Sequence, residues 1–267
     1  MHRPLAVQFG IEPGVTSLSF RGRALWLLGY PEAALVDAHH ALKDAREIGH
    51  AVTWMIALWL VSSTHTLCGN YMAASTEADE LVALADEKIA LSWKHVGMMN
   101  QGCLLVLKEK AFDAIQVINS GMAAWRSTAS TIWIPWHLTY LGIAYAQLHR
   151  FDDAWPSIGE AVTAVEITKE AWSEAEVHRV AGEIALMSSE PDATKAEAHF
   201  ERALSVARAQ QAKSWELRAA MSLARLWRDQ GKMQQARELL APVYGWFTEG
   251  FDTRDLKEAK ALLEELA

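Results

Sequence analysis

His65 and Cys68 stand three residues apart, one turn if the segment is helical, and both residue types ligate zinc. A zinc site needs three or four ligands. The second cysteine, Cys103, falls five positions out of register with Cys68, roughly 140° away around a helix axis. His39-His40, His95, His137 and His178 occupy unrelated registers and form no constellation. Acidic pairs such as Asp152-Asp153 and Glu264-Glu265 fall where turns and solvated faces are expected. Ser62 and Ser63 lie mid-helix, without the strained turn that exposes a nucleophile. Neither GxxxxGK[ST] nor GxGxxG after a strand is present. No catalytic residue, metal or cofactor is expected, and the chain by itself is not expected to be an enzyme. What stands out instead is tryptophan, 12 residues in 267.

These residues acquire positions only through the repeat that carries them. Ala34, Ala74, Ala114, Ala154, Ala196 and Ala236 recur at spacings of 40, 40, 40, 42 and 40. Twelve residues before the first four stand Gly22, Ser62, Gly102 and Gly142; Gly182 and Ala224 precede the last two. A further small-residue column follows each alanine by seven: Ala41, Leu81, Gly121, Ala161, Ala203 and Val243. Seven residues is two helical turns, so both later columns share a helix face. Small residues let two antiparallel helices approach; Gly142 facing Ala154 is one such contact. Leu105, Tyr145 and Trp227 would fill the space beside it.

Each unit therefore reads as a helical hairpin. Turn signals recur in register: Gly29-Tyr30-Pro31, Gly69-Asn70-Tyr71, Glu109-Lys110-Ala111, His149-Arg150-Phe151 and Gly231-Lys232-Met233. First helices are expected near 14–28, 53–68, 93–108, 132–148, 172–187 and 213–230. Second helices are expected near 31–48, 71–88, 111–127, 151–168, 192–210 and 233–247. Residues 1–13 align with 41–53 and read as the tail of a truncated preceding repeat. Residues 14–250 are six hairpin repeats. Residues 251–267 form a C-terminal capping helix, with Asp252 as N-cap and Asp255 three residues on. Leu256, Ala259, Leu263 and Leu266 supply its apolar stripe, and Lys257, Lys260 and Glu264 face water.

The small residue, the large residue three later and the alanine twelve later resemble the tetratricopeptide repeat, although the period is 40 rather than 34. The longer units resemble the helical-repeat sensor segments of bacterial signalling ATPases. The closing stretch Leu240-Ala241-Pro242-Val243-Tyr244-Gly245-Trp246-Phe247-Thr248-Glu249-Gly250-Phe251-Asp252 resembles the end of such proteins that also carry a class III adenylate or guanylate cyclase. The resemblance implies an all-α, right-handed superhelical solenoid of about six hairpins plus the cap. It also implies a non-catalytic regulatory or protein-interaction role, with any ATPase or cyclase parts lying upstream. First helices would line the concave face. The groove residues are then Arg23, Trp26, Trp59, Met99, Cys103, Trp136 and Arg179. They either line an open groove or pack the interior of a tightly curled array. Trp54, Trp93, Trp133, Trp172 and Trp215 each open a first helix and read as fillers between units, leaving Trp26, Trp59 and Trp136 as exceptions.

Composition narrows the partners. The net charge of −8 carries no basic stripe, so a nucleic-acid surface is not expected. Two cysteines make no disulfide framework, which suits reducing cytoplasm. The apolar run Val52 to Val61 is too short for a bilayer, which takes about 20 residues, and it falls in register with the repeat. The expected partners are a protein or peptide, upstream domains of the same polypeptide, or a small-molecule effector. A spacer or oligomerisation arm is a further reading, with a homodimer through the uncapped N-terminal end.

Overall fold

The computed structural model describes residues 3–267. The described residues form fourteen helices: α1 (Arg3–Phe9), α2 (Pro13–Leu27), α3 (Pro31–Ile48), α4 (Ala51–Leu67), α5 (Tyr71–Glu87), α6 (Leu91–Leu107), α7 (Ala111–Ser127), α8 (Ile134–Gln147), α9 (Phe151–Thr168), α10 (Glu174–Met187), α11 (Ala193–Ala209), α12 (Lys213–Asp229), α13 (Met233–Tyr244) and α14 (Arg254–Glu265). Six antiparallel hairpins, α2–α3 through α12–α13, stack in chain order into an all-helical solenoid, and α14 packs on the last of them. The truncated-repeat assignment of residues 1–13 begins with residues 1–2, which lie outside the described residues. Among the described residues no helix is long and apolar enough to cross a membrane. The apolar run sits inside α4, where Leu58, Leu60 and Val61 are fully buried.

The residues of the alanine column are fully buried in every hairpin. The small column on the first helices does more than admit that alanine. A side chain at Gly142 would meet Ile158 Cδ1 at 2.8 Å, with the Ala154 carbonyl at 3.6 Å. At Gly102 it would meet Ile118, and at Gly182 Phe200, each four residues beyond the alanine. The first helix thus gives up its side chain to a bulky residue one turn further along the second helix. In the second hairpin Ser62 replaces glycine and donates to the Ala74 carbonyl at 2.9 Å.

The turn within five of the six hairpins uses one left-handed residue; the longer α10–α11 link has none. Gly29, Gly69 and Gly231 supply it without steric cost, whereas Glu109 and His149 adopt it at φ 59° and 57°. Two of these glycines also lie on a seam that joins the two ends of the array. A side chain at Gly29 would meet Trp246, Lys213 and Phe247, and one at Gly69 would meet the Cβ of Arg254 at 2.8 Å. Along that seam Glu249 accepts from the Ala33 amide, Glu32 accepts from the Gly250 amide, and Ser214 Oγ donates to the Trp26 carbonyl. The solenoid closes on itself, with α12, α14 and the 245–253 link against the first two hairpins.

Two local expectations are corrected. The N-cap of α14 is Thr253, whose hydroxyl donates to the Gly250 carbonyl; Asp252 is exposed. The seam explains this, because Gly250 is pinned by Glu32 and the link turns one residue later. Helices α8 and α10 start at Ile134 and Glu174, so Trp133 and Trp172 precede their helices instead of opening them.

Candidate functional site

The first helices and the turns before them face the centre of the closed array. Their tryptophans meet there, and the division into repeating fillers and exceptions dissolves. Trp59 contacts Trp93 and Trp133 at ring distances of 6.0 and 5.2 Å. Trp133 contacts Trp172 at 5.1 Å, and Trp172 contacts Trp136 at 5.0 Å. Trp136 leads on to Tyr140 and Trp215, and Trp215 meets Trp26 edge-on at 4.6 Å. These separations are those of favourable aromatic pairs. Four of the five column tryptophans and all three exceptions form one chain of rings. These rings pack against one another in the interior on this side of the array.

Arg23 of α2 enters this aromatic layer. Its guanidinium lies 4.0 Å from the Trp133 ring centroid and 5.2 Å from that of Trp172. The residue is 5% exposed, and its Nε and Nη1 have no hydrogen-bond partner among the described residues. Burial pushes its pKa down to about 9, partly opposed by the charge of Glu170. Glu170 does not pair with it. One Glu170 oxygen accepts from the Trp133 amide at 2.7 Å and the other from the Trp172 indole at 2.9 Å. Trp133 itself is left-handed, at φ 68°, an unusual state for an aromatic residue. Beside it, His137 Nδ1 lies 2.8 Å from the Trp133 carbonyl, so Nδ1 carries the proton and the unpartnered Nε2 carries a lone pair. Burial first, and then Arg23, push His137 down to about 4, against that hydrogen bond.

A polar cavity of about 240 Å³ lies further along the interior. Helices α8, α10, α12 and α14 and the α4–α5 turn enclose it. Arg179 is bidentate on Glu176, at 2.7 and 2.8 Å, and also reaches Glu183 at 3.1 Å. Arg218 pairs with Asp255 at 2.7 Å and donates to the Leu67 carbonyl at 2.8 Å. Arg254 pairs with Glu258 at 2.6 Å and donates to the Tyr71 hydroxyl at 2.6 Å, and Arg225 reaches Glu258 at 3.1 Å. Burial works to raise Glu176, but the charges and hydrogen bonds of Arg179 and Arg218 prevail and hold it below the usual carboxylate range. Burial likewise works against Arg218 and Arg179, whose carboxylate partners raise both.

The seven groove residues separate into three places. Arg23, Trp26, Trp59 and Trp136 meet in the aromatic layer, and Arg179 lines the cavity. Met99 is buried against Gly121 of its own hairpin and faces no groove. Cys103 is buried, and its pKa is pushed well up by burial. His65 is taken by Glu77 at 2.9 Å, and among the described residues no three metal-ligating side chains converge. Sequence reasoning missed Tyr71, Arg218, Arg254 and Asp255. Their meeting depends on closure of the ends, which no local pattern encodes.

By sequence, no protein-family profile and no curated protein matches the chain. By structure, 27 solved chains match. One is the crystal structure of the apo form of RapI, with a TM-score of 0.62 and 14% identity over 94% of this chain and 85% of that one. RapI is a tetratricopeptide-like helical-repeat protein. The likeness is one of fold and supports the helical-repeat architecture.

Proposed function

We propose that the chain is a non-catalytic regulatory binding module, a sensor that takes a small polar effector into the cavity between its two ends. The observation that carries this reading is that the residues lining the cavity also hold the array shut. Arg218 and Arg254 reach from the last hairpin and the cap to the Leu67 carbonyl and Tyr71 of the second hairpin. An effector that hydrogen-bonds these groups competes with closure or reinforces it. Its affinity then differs between open and closed states, which is the requirement for a ligand to shift a conformational equilibrium.

A binding role suits the interior chemistry better than turnover. General acid–base catalysis favours groups that titrate near the working pH. Here Glu176 and Glu258 are lowered, His137 is lowered to about 4 and both thiols are raised. An extended peptide finds the aromatic side filled, so a protein partner would engage the cavity with a chain end or dock on the outer surface. In a longer polypeptide of the kind the repeats resemble, with an ATPase or nucleotidyl cyclase upstream, the closure state would be the transmitted signal.

The test is to melt the wild type and Arg225→Met against amino acids, sugars, dicarboxylic acids and short peptides, and to measure end-to-end distance with paired fluorophores. A compound that stabilises the wild type, loses its effect in Arg225→Met and changes the distance supports the reading. Equal stabilisation of both proteins, or stabilisation without a change in distance, sinks it.

A further inference from the structure

We propose that Arg23, held between Trp133 and Trp172, is the receptor for a small oxyanion group, carboxylate or phosphate, at a site separate from the polar cavity. A buried guanidinium keeps its charge and is tolerated when it is paired and hydrogen-bonded. Arg23 is buried, yet two of its nitrogens have no partner among the described residues. The carboxylate whose field reaches it, Glu170, has both oxygens engaged by Trp133 and Trp172. An unsatisfied buried donor calls for a bound group to complete it.

The surroundings are built for that purpose rather than left over. Glu170 fixes the two tryptophans that sandwich the guanidinium, and Trp133 accepts a left-handed backbone to stay there. Backbone strain of this kind gathers at ligand clamps. The His137 Nε2 lone pair, close enough for Arg23 to depress the ring's pKa, offers an acceptor to a hydroxyl on the same ligand. Trp59, Trp133 and Trp172 are half-buried, so the guanidinium lies one layer below solvent. The fork of an arginine suits a group with two or more acceptor oxygens.

The experiment uses the full chain at constant ionic strength, with sodium acetate, sodium phosphate and sodium chloride as probes. Tryptophan fluorescence and melting temperature are followed for the wild type, Arg23→Met and Arg23→Lys. Oxyanion binding predicts a saturable fluorescence change and a rise in melting temperature in the wild type, beyond the chloride control. Acetate and phosphate arms tell the two acid types apart. Arg23→Met should weaken the response by roughly tenfold or more and, without oxyanion, melt no lower than the wild type. Arg23→Lys, which keeps a charge but lacks the planar fork, should respond more weakly than the wild type. An absent wild-type response, or an equal response in Arg23→Met or Arg23→Lys, would each overturn the proposal. If Arg23→Met fails to fold, the wild-type and Arg23→Lys titrations decide alone. The outcome is independent of the cavity reading, because Arg225→Met should leave the oxyanion response intact.

Discussion

Gly102 and Gly159 make a pair that tests the repeat frame itself. Both lie inside helices, and each would be changed to alanine. At Gly102 the new methyl would sit 2.5 Å from Ile118 Cγ1 and 3.4 Å from its Cδ1 and backbone nitrogen. Ile118 is fully buried, and its β-branched side chain is stiff at χ1, so it cannot swing aside cheaply. Overpacking of this kind costs roughly 1–3 kcal/mol. The higher helix propensity of alanine returns about 1 kcal/mol. The net expectation is a loss of about 1 kcal/mol. At Gly159, on the exposed side of α9, nothing lies within 4 Å, so only the propensity gain of about 1 kcal/mol remains. The two variants should differ by about 2 kcal/mol, or roughly 4–8 °C in melting temperature for a chain of this size, with opposite signs. Scanning calorimetry under identical buffer conditions measures this. A Gly102→Ala protein as stable as Gly159→Ala would refute the idea that the small column sets the distance between helices.

Protonation and thiol chemistry supply two more tests. His137 has a folded-state pKa lowered from 6.5 to about 4. The unfolded chain therefore binds the extra proton first, and roughly 3 kcal/mol of stability, complete above pH 6.5, should be lost as the pH falls toward 4. His137→Gln should flatten the dependence of melting temperature on pH across that window, and an unchanged slope would contradict the assignment. Burial pushes the Cys68 thiol up to about 12 and Cys103 further, so neither should react with a disulfide reagent at pH 8 until the chain is denatured. Rapid labelling of the native protein, read by absorbance, would show that the interior opens.

The fold was legible because it is periodic. Each hairpin repeats the same contact, so the columns of Ala34 and Gly22 place helices to within a residue or two along the chain, except that α13 ends at Tyr244, three residues before the expected 247. The turns followed from Gly29, Gly69 and Gly231. The site was legible only in part. Arg23, Trp26, Trp59 and Trp136 were singled out as inward-facing, and they do meet. Their number and chemistry hid a second fact: rings of this size, brought from α2, α4, α8 and α12 to one centre, pack against one another. The cavity was not legible. Arg254, Asp255 and Glu258 belong to a helix whose composition reads as a solvated cap, and they line the cavity only because Arg218 and Tyr71 come round to meet them. A one-dimensional pattern reports contacts between neighbours, and these contacts are made by residues more than 150 positions apart.

Closure also changes what the repeats can do. In an open solenoid each unit touches only its neighbours, and stability is a sum of local terms. Joining the last unit to the first two adds a boundary condition, because a small rotation at any hairpin junction must be absorbed at the seam. The seam combines apolar packing, Trp26 on Trp215 and Tyr30 on Trp246, with polar contacts: Glu249 on the Ala33 amide, Glu32 on the Gly250 amide, Arg218 on the Leu67 carbonyl and Arg254 on Tyr71. Polar contacts exchange with water at modest net cost, about 1 kcal/mol each, whereas the alanine-lined hairpin interfaces do not. The polar part of this joint made by Arg218, Arg254 and Tyr71 lies beside the cavity. That places the expected motion at the seam and leaves the hairpins as rigid bodies. It is also why a ligand making only a few hydrogen bonds in the cavity has enough leverage to shift the ends of the chain.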